Sequence, residues 1–439
     1  MGNLCRIGSK KRRRIVHKRS PAFGSVDPGS MAREAFPGGT ALNMLMNTRG
    51  VSSAGRPART FGIEEEFLLV DPATGEPRPV AELAVQQGKK RGGSAFGPAL
   101  TLEVQQEQLE VVGPVCATLP EMEAAIREGR GLADEAARSV GARAVALATS
   151  PTAATPSLVP RQRYQDIADR FGLTSKEQLT CGFHVHVGVI SGKEGVAILD
   201  RIRVWLPVLL ALSANSPVWQ GRDSGYASFR YQAWNRWPTA GPCERFGSEK
   251  AYRRYIRSLL ATGVLVDEGM VYFDARLSRN HPTVEVRIAD VCMDPGHAAV
   301  LAALVRALVE QAALDWRAGL RVPRQSAAQL RLAAWQASVS GAEGMLLHPL
   351  LNTPCPAGEA VQALLAHVSP VLAGTGDEDR VTRDVDRIHT SGTGSRRQRE
   401  TMASSQTLAA VVADAVEATH GTAKTQHFRP VRLQGTGPI

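Results

Sequence analysis

Cysteine is scarce in this 439-residue chain. The six present, Cys5, Cys116, Cys181, Cys243, Cys292 and Cys355, form no C-x-x-C pair and follow no repeating interval. That spacing argues against a zinc knuckle or a disulfide framework, so a reducing compartment is expected. Long apolar runs are missing as well. The best stretch, around Val204 to Leu212, falls short of the roughly 20 residues that cross a bilayer and ends at Ser213, Asn215 and Pro217. No apolar h-region follows the first positive charges, which argues against a secretory signal. No internal repeat is present. These absences point to a cytoplasmic protein with no membrane partner.

Charge of one sign is missing from most of the chain, although the total of +10 suggests a nucleic-acid or acidic-membrane partner. Residues 1–59 hold 12 of the 52 Lys and Arg against only Asp27 and Glu34, leaving 40 basic and 40 acidic residues in a neutral body. The first 59 residues carry Lys10-Lys11-Arg12-Arg13-Arg14 and then a Gly/Pro/Ser-rich stretch without apolar periodicity. Such a segment cannot bury enough surface to offset its ordering entropy, so a disordered basic extension is expected there. With Met31, Met44 and Met46 as internal candidate starts, it is read as dispensable, and nucleic acid is not the expected partner. Residues 60–439 are expected to form one catalytic domain, with a homodimer as a possible assembly.

From Phe61 the pattern changes. FGIEEEFLLVD (Phe61 to Asp71) alternates as a strand, with Ile63, Phe67 and Leu69 on one face, Glu64 and Glu66 on the other, and Glu65 interrupting the apolar side. Leu100 to Val112 reads as a second extended region and Arg143 to Ala148 as a short strand. In CGFHVHVGVI (Cys181 to Ile190), Phe183, Val185, Val187 and Val189 oppose His184, His186 and Gly188. Val284 to Val291 sets Val284, Val286 and Ile288 against Glu285 and Arg287. Helices are expected over Pro120 to Val140, Lys193 to Leu212, His297 to Arg317, Gln325 to Val339 and Thr407 to His420. Between them, Ser213 to Phe246 reads as a long loop region, and Asp377 to Arg399 is highly charged.

Several strands therefore back an apolar face with Glu, His or Arg. If they share one sheet covered by helices, the polar faces converge, and crowded carboxylates repel unless cations lie between them. Oxygen ligands with an imidazole suit magnesium or manganese, which bring nucleotide phosphates, and arginines then offset phosphate charge. Taken singly, each motif has a plainer reading: a solvated strand edge, a half-exposed polar face, a cross-strand ion pair.

In order along the chain, FGIEEEFLLVD, LEVQQEQLEVVGPVC, CGFHVHVGV, SPVWQGRDSGYASFRYQAWNRWP, VYFDARLSRNHPTVEVRIADV and the late GTGSRRQRE resemble the carboxylate-amine ligases, or type 2 glutamate-cysteine ligases. The resemblance runs from about Thr60 to Arg399. It implies an α+β, glutamine synthetase-like catalytic fold, a curved antiparallel β-sheet funnel covered by helices. It also implies an ATP-dependent ligase that uses Mg2+ or Mn2+ to join amino-acid and amine substrates in a γ-glutamyl-type amide through an acyl phosphate, without strict glutamate–cysteine specificity.

By position in those motifs, the resemblance makes Glu64, Glu66, Glu103, Glu110, His184 and Glu285 metal ligands. Arg287 becomes a catalytic, phosphate-facing residue, Arg230 a catalytic residue that holds a substrate carboxylate, and His186 a substrate contact. Arg397 and Arg399 are expected at the nucleotide. Phe273 and Gly113-Pro114 depart from the family pattern and bear on the acceptor pocket. Glu103 and Glu110 point to opposite faces of an unbroken strand, so a bulge or break must bring them together. The competing reading is a metal-dependent hydrolase in which His184 and His186 hold a zinc-activated water, with activity independent of nucleotide.

Overall fold

The computed structural model describes residues 58–90 and 97–421. The extension expected over residues 1–59 lies almost wholly outside them, and its last residue, Arg59, is anchored. Its guanidinium pairs with Glu194 at 2.9 Å and with Glu310, and donates to the Gly188 carbonyl at 2.6 Å.

Seven strands make the sheet: β1 (Phe61–Val70), β2 (Ala99–Leu102), β3 (Gln108–Val112), β4 (Arg143–Val145), β5 (Gly182–Gly188), β6 (Ala275–Leu277) and β7 (Thr283–Asp290). Their order is β2-β3-β1-β5-β7-β6, with β4 beside the end of β1, and every pairing is antiparallel. Register decides which side chains meet. Glu66 lies opposite Glu110, Glu64 opposite His184, and His186 opposite Glu285. Between β5 and β7 the register shifts at Phe183/Val185, so β7 carries an extra residue opposite His184, the kind of bulge that re-aims side chains beside a site.

The apolar alternation works as expected on the other face. Phe61, Ile63, Phe183, Val185, Val187, Val284, Val286 and Ile288 join one buried core with the helix Pro295–Arg317. That helix is long and apolar enough by composition to cross a membrane, a candidate that the sequence reading passes over, but 83% of its apolar window is buried in this core.

Four stretches differ from the sequence expectations or add to them. Leu100 to Val112 is a hairpin, β2 and β3, rather than one extended run. Lys193 to Leu212 is two helices, Gly192–Ile202 and Leu206–Ser213, because Pro207 in the first turn of the second cannot continue the first. The charged stretch from Asp377 is two helices, Glu378–Ser391 and Gly394–Ser405; in the first, Val381, Val385 and Ile388 supply a narrow buried stripe beneath the charges. The region read as a long loop also contains the short helix Phe229–Trp234.

Glu65, the residue that breaks the apolar face of β1, is fully buried against Arg130 of the helix Leu119–Arg138, at 2.6 and 3.2 Å. Arg130 spends its remaining donors on the carbonyls of Cys292, Met293 and Thr419, at 2.7, 2.8 and 3.2 Å. One guanidinium therefore ties β1, the chain after β7 and the helix Leu408–Thr419 together. Removing one partner of a buried pair strands the other charge, which costs about 3–5 kcal/mol. Arg130→Met is expected to lower the unfolding free energy by about that amount in urea titration, whereas a loss under about 1 kcal/mol would show that the pair does not hold the sheet's rear face.

Candidate metal and phosphate site

The polar face of the sheet gathers the predicted carboxylates and imidazoles. His184 Nδ1 lies 3.0 Å from Glu64 Oε2, and its Nε2 lies 3.7 Å from Glu66 Oε1. His186 Nδ1 meets Thr283 Oγ1 at 3.0 Å, while its Nε2 sits 3.3 Å from Glu64 Oε1 without a hydrogen-bond partner among the described residues. The hairpin answers the spacing problem of Glu103 and Glu110. Glu110 is in β3, and Glu103 follows directly on β2, so the chain reverses between them.

Among the described residues, ligand atoms fall into three groups, each within 4.8 Å: Glu64, Glu110 and His184; Glu64, His186 and Glu285; Glu66, Glu103 and Glu110. All six predicted metal ligands belong to at least one. His186, expected at substrate, joins them. Glu64 and Glu110 each belong to two groups, so the three positions adjoin one another.

The electrostatics show strain that a cation would relieve. Burial and the charge of Glu66 push the Glu103 carboxyl up to about 8, and burial with Glu103 and Glu64 pushes Glu110 well above the usual carboxylate range. Burial would raise Glu64 too, yet contacts with His184 and His186 hold it well below that range. Burial and the Arg287 charge lower His184, keeping its imidazole neutral and able to ligate. Carboxylates that must hold protons, a neutral imidazole and a buried imidazole nitrogen without a partner suit a hard divalent ion with oxygen and nitrogen donors. The residues present fit the group that the resemblance implies.

Arg287 lies beside Glu285 and pairs with it, and its Nε is buried without a partner. Burial would lower its affinity for a proton, but Glu285 together with Glu64 and Glu66 raises it. Arg276 grips the same Glu285 carboxylate at 2.8 and 3.2 Å, a contact the sequence reading does not assign. Its signal is the short turn between β6 and β7, which sets Arg276 opposite Glu285.

Arg230 approaches from the helix Phe229–Trp234. A Cβ on Gly182 would come within 2.2 Å of Arg230 Nη2 and 3.1 Å of His184 Nε2, so only glycine leaves room there for both side chains. Arg397 and Arg399 are not brought to the carboxylates. Arg397 makes a two-pronged pair with Asp414 at 2.7 Å, and Arg399 one with Asp223 at 2.8 Å, so the hydrogen bonds expected at a nucleotide go to aspartates. Phe273, the departure expected to bear on the acceptor pocket, packs its ring against Phe246 and Tyr255.

A family model described as glutamate-cysteine ligase family 2 matches residues 60–424. A protein of Paenarthrobacter aurescens (strain TC1), provisionally named glutamate–cysteine ligase 2-1, is 50% identical over 365 residues, spanning 82% of this chain and 95% of that protein. One of Streptomyces coelicolor, provisionally named glutamate–cysteine ligase 2, is 47% identical over 361 residues, spanning 82% and 99%. Among solved structures, the glutamate–cysteine ligase of Francisella tularensis in complex with AMP aligns with a TM-score of 0.61 at 12% identity, covering 85% of this chain and 90% of that one. A bifunctional glutathione synthetase of Pasteurella multocida gives 0.61 at 14%, with this chain spanning 52% of its length. At those identities the likeness is one of fold, and it agrees with the α+β architecture of helices on an antiparallel sheet.

Because Glu103 holds a proton in the metal-free fold up to about pH 8, above its ordinary 4.5, its stabilising contribution is complete below pH 4.5 and is lost as pH rises through 8. Metal binding must displace that proton, together with whatever proton the raised affinity of Glu110 retains. Titration calorimetry at pH 7 in buffers of differing ionisation enthalpy is expected to show roughly one to two protons released as Mg2+ or Mn2+ binds. Binding with no proton release would remove Glu103 and Glu110 from the ligand set.

Proposed function

The chain belongs to glutamate-cysteine ligase family 2, and on that premise we propose that it is an ATP-dependent carboxylate-amine ligase forming a γ-glutamyl-type amide through an acyl phosphate. The observation that carries this reading is the three adjoining donor groups on one sheet face, with the largely buried guanidinium of Arg287 beside them. Phosphoryl transfer depends on positioning and charge neutralisation rather than on a protein nucleophile, and this cluster offers both.

Glu64, Glu66, Glu103, Glu110, His184, His186 and Glu285 would hold magnesium or manganese, which supplies charge compensation for the nucleotide phosphates. Arg287, already close enough to Glu64 and Glu66 to feel their charge, faces the transferring phosphoryl group and stabilises its developing negative charge. Arg276 keeps Glu285 from rotating away. Arg230 receives the substrate's spare carboxylate through guanidinium donors that the fold leaves weakly engaged. The reacting carboxylate oxygen bonds to the γ-phosphorus and ADP leaves. The amine nitrogen then bonds to the acyl carbon, phosphate leaves, and the nitrogen gives up a proton. Arg397 and Arg399, tied to Asp414 and Asp223, have no nucleotide contact in this scheme. The carboxylate and amine are amino-acid and amine small molecules, with no strict requirement for the glutamate–cysteine pair.

Screening amino acids and amines against the wild-type protein is expected to find a pair that stimulates metal-dependent ADP release. Loss of an outer partner of a metal site costs about 10–100-fold, so Glu66→Gln and Glu285→Gln, which alter ligands themselves, should reduce that release by roughly 100-fold or more with unchanged circular dichroism. Turnover that survives in both variants, or metal-dependent hydrolysis without nucleotide, would overturn the ligase reading.

A further inference from the structure

The late segment GTGSRRQRE opens the helix Gly394–Ser405, and between its two aspartate-bound arginines one side chain turns inward. Gln398 is 1% exposed, and its amide donates to the Asn215 carbonyl at 2.9 Å and to Asn215 Oδ1 at 2.8 Å. Asn215, equally buried, donates its own amide to the carbonyls of Ala146 and Val291, both at 2.8 Å, and its backbone N–H to Asp290 Oδ2 at 2.9 Å. Asp290 ends the strand that carries Glu285 and Arg287. Its carboxylate also accepts from Ser216 Oγ at 2.7 Å and Ser228 Oγ at 2.8 Å, and lies 3.8 Å from Arg230 Nη1. The loop closes on itself, since the Arg230 backbone N–H donates to Ser216 Oγ at 3.0 Å.

The approach of the helix is tight enough to dictate a residue. A Cβ on Gly394 would fall 2.1 Å from Asn215 Oδ1, and the Ser395 N–H donates to the Ala214 carbonyl at 3.0 Å. At the other end of the chain of bonds, Arg230 is held loosely. Its Nη1 and Nη2 reach the carbonyls of Ile288 and Arg287 only at 3.3 and 3.5 Å, and its Nε is buried without a partner. Its aim is therefore set from behind, by Asp290 and the main chain around Ser216 and Ser228, while its donors stay available for a ligand.

Resting on the reading that Arg230 holds a substrate carboxylate, we propose that Gln398 is a positioning residue for Arg230, acting through Asn215 and Asp290, so that GTGSRRQRE serves the carboxylate substrate rather than the nucleotide. Buried polar chains of this kind are coupled, since an amide removed at one end leaves carbonyls unpaired and frees the next link to move. A small displacement of a positioning guanidinium weakens binding of the group it holds without altering the phosphoryl site.

The test uses the full chain carrying Gln398→Leu, with Gln398→Glu, which keeps the shape and removes both donors, as the second variant should the first not fold. The KM for the stimulating carboxylate is expected to rise roughly tenfold while kcat and the KM for ATP stay within about twofold. In an Arg230→Lys background the same change is expected to add nothing further. Independently of turnover, labelling of Arg230 by phenylglyoxal, read by peptide mass spectrometry, should accelerate in the variant while labelling of Arg163, which pairs with Asp267 at 2.6 and 3.0 Å, does not. An ATP KM that moves in place of the carboxylate KM, additive effects with Arg230→Lys, or unchanged Arg230 labelling each overturn the proposal. If no carboxylate stimulates ADP release in the unsubstituted protein, the ligase reading fails on its own, and the labelling result still decides the relay.

Discussion

Carboxylates brought onto one face of a sheet repel one another, and this repulsion is the constraint around which the molecule is arranged. Glu64, Glu66, Glu103, Glu110 and Glu285 lie in overlapping clusters too close for all to be charged without compensation. The fold answers unevenly. It gives Glu285 two arginines and Glu64 two imidazoles, and it leaves Glu103 and Glu110 to hold protons. That asymmetry is what makes the face receptive to divalent ions, because part of the cluster is already ionised and the rest becomes so when a cation arrives.

A cluster under such stress needs a rigid backing, and the reverse side of β1 provides it through a second charge. Glu65 sits between Glu64 and Glu66 in sequence but faces away from them into Arg130. Consecutive glutamates thus serve opposite sides of one strand, two toward ions and one toward a guanidinium that also grips three carbonyls. A buried pair of this sort contributes little net stability relative to apolar packing, and its value here is in specifying which elements meet.

Much of this was legible from the residues. Period-two alternation in β1, β5 and β7 separated core-facing aliphatics from site-facing Glu, His and Arg, and the structure keeps those faces. The metal candidates that the resemblance named all arrive in one cluster, and for Glu64, Glu66, His184 and Glu285 strand parity agrees with it. Parity could not say how strands pair, so the hairpin that unites Glu103 with Glu110 and the register that sets Arg276 on Glu285 had to come from the fold. Arg130 was illegible for a different reason: it is an ordinary basic residue in an amphipathic helix, and only tertiary packing reveals that it is 1% exposed. Arg397 and Arg399 show what position within a motif leaves open, since it suggested a ligand contact and gave no sign of the ion pairs with Asp414 and Asp223 that the fold supplies.

The reach of Arg130 along the chain has a consequence for biogenesis. Its partners lie 65, 163 and 289 positions away, at Glu65, Met293 and Thr419. Contacts that distant close late and at a large loop entropy. While the polypeptide is still emerging from the ribosome, Glu65 can meet Arg130 once the helix Leu119–Arg138 is made, but the bond from Arg130 to Thr419 waits for the helix Leu408–Thr419. The last of the ties that Arg130 makes is thereby deferred until that helix is present, and a nascent chain interrupted before it would hold every candidate metal ligand and yet lack that tie behind them.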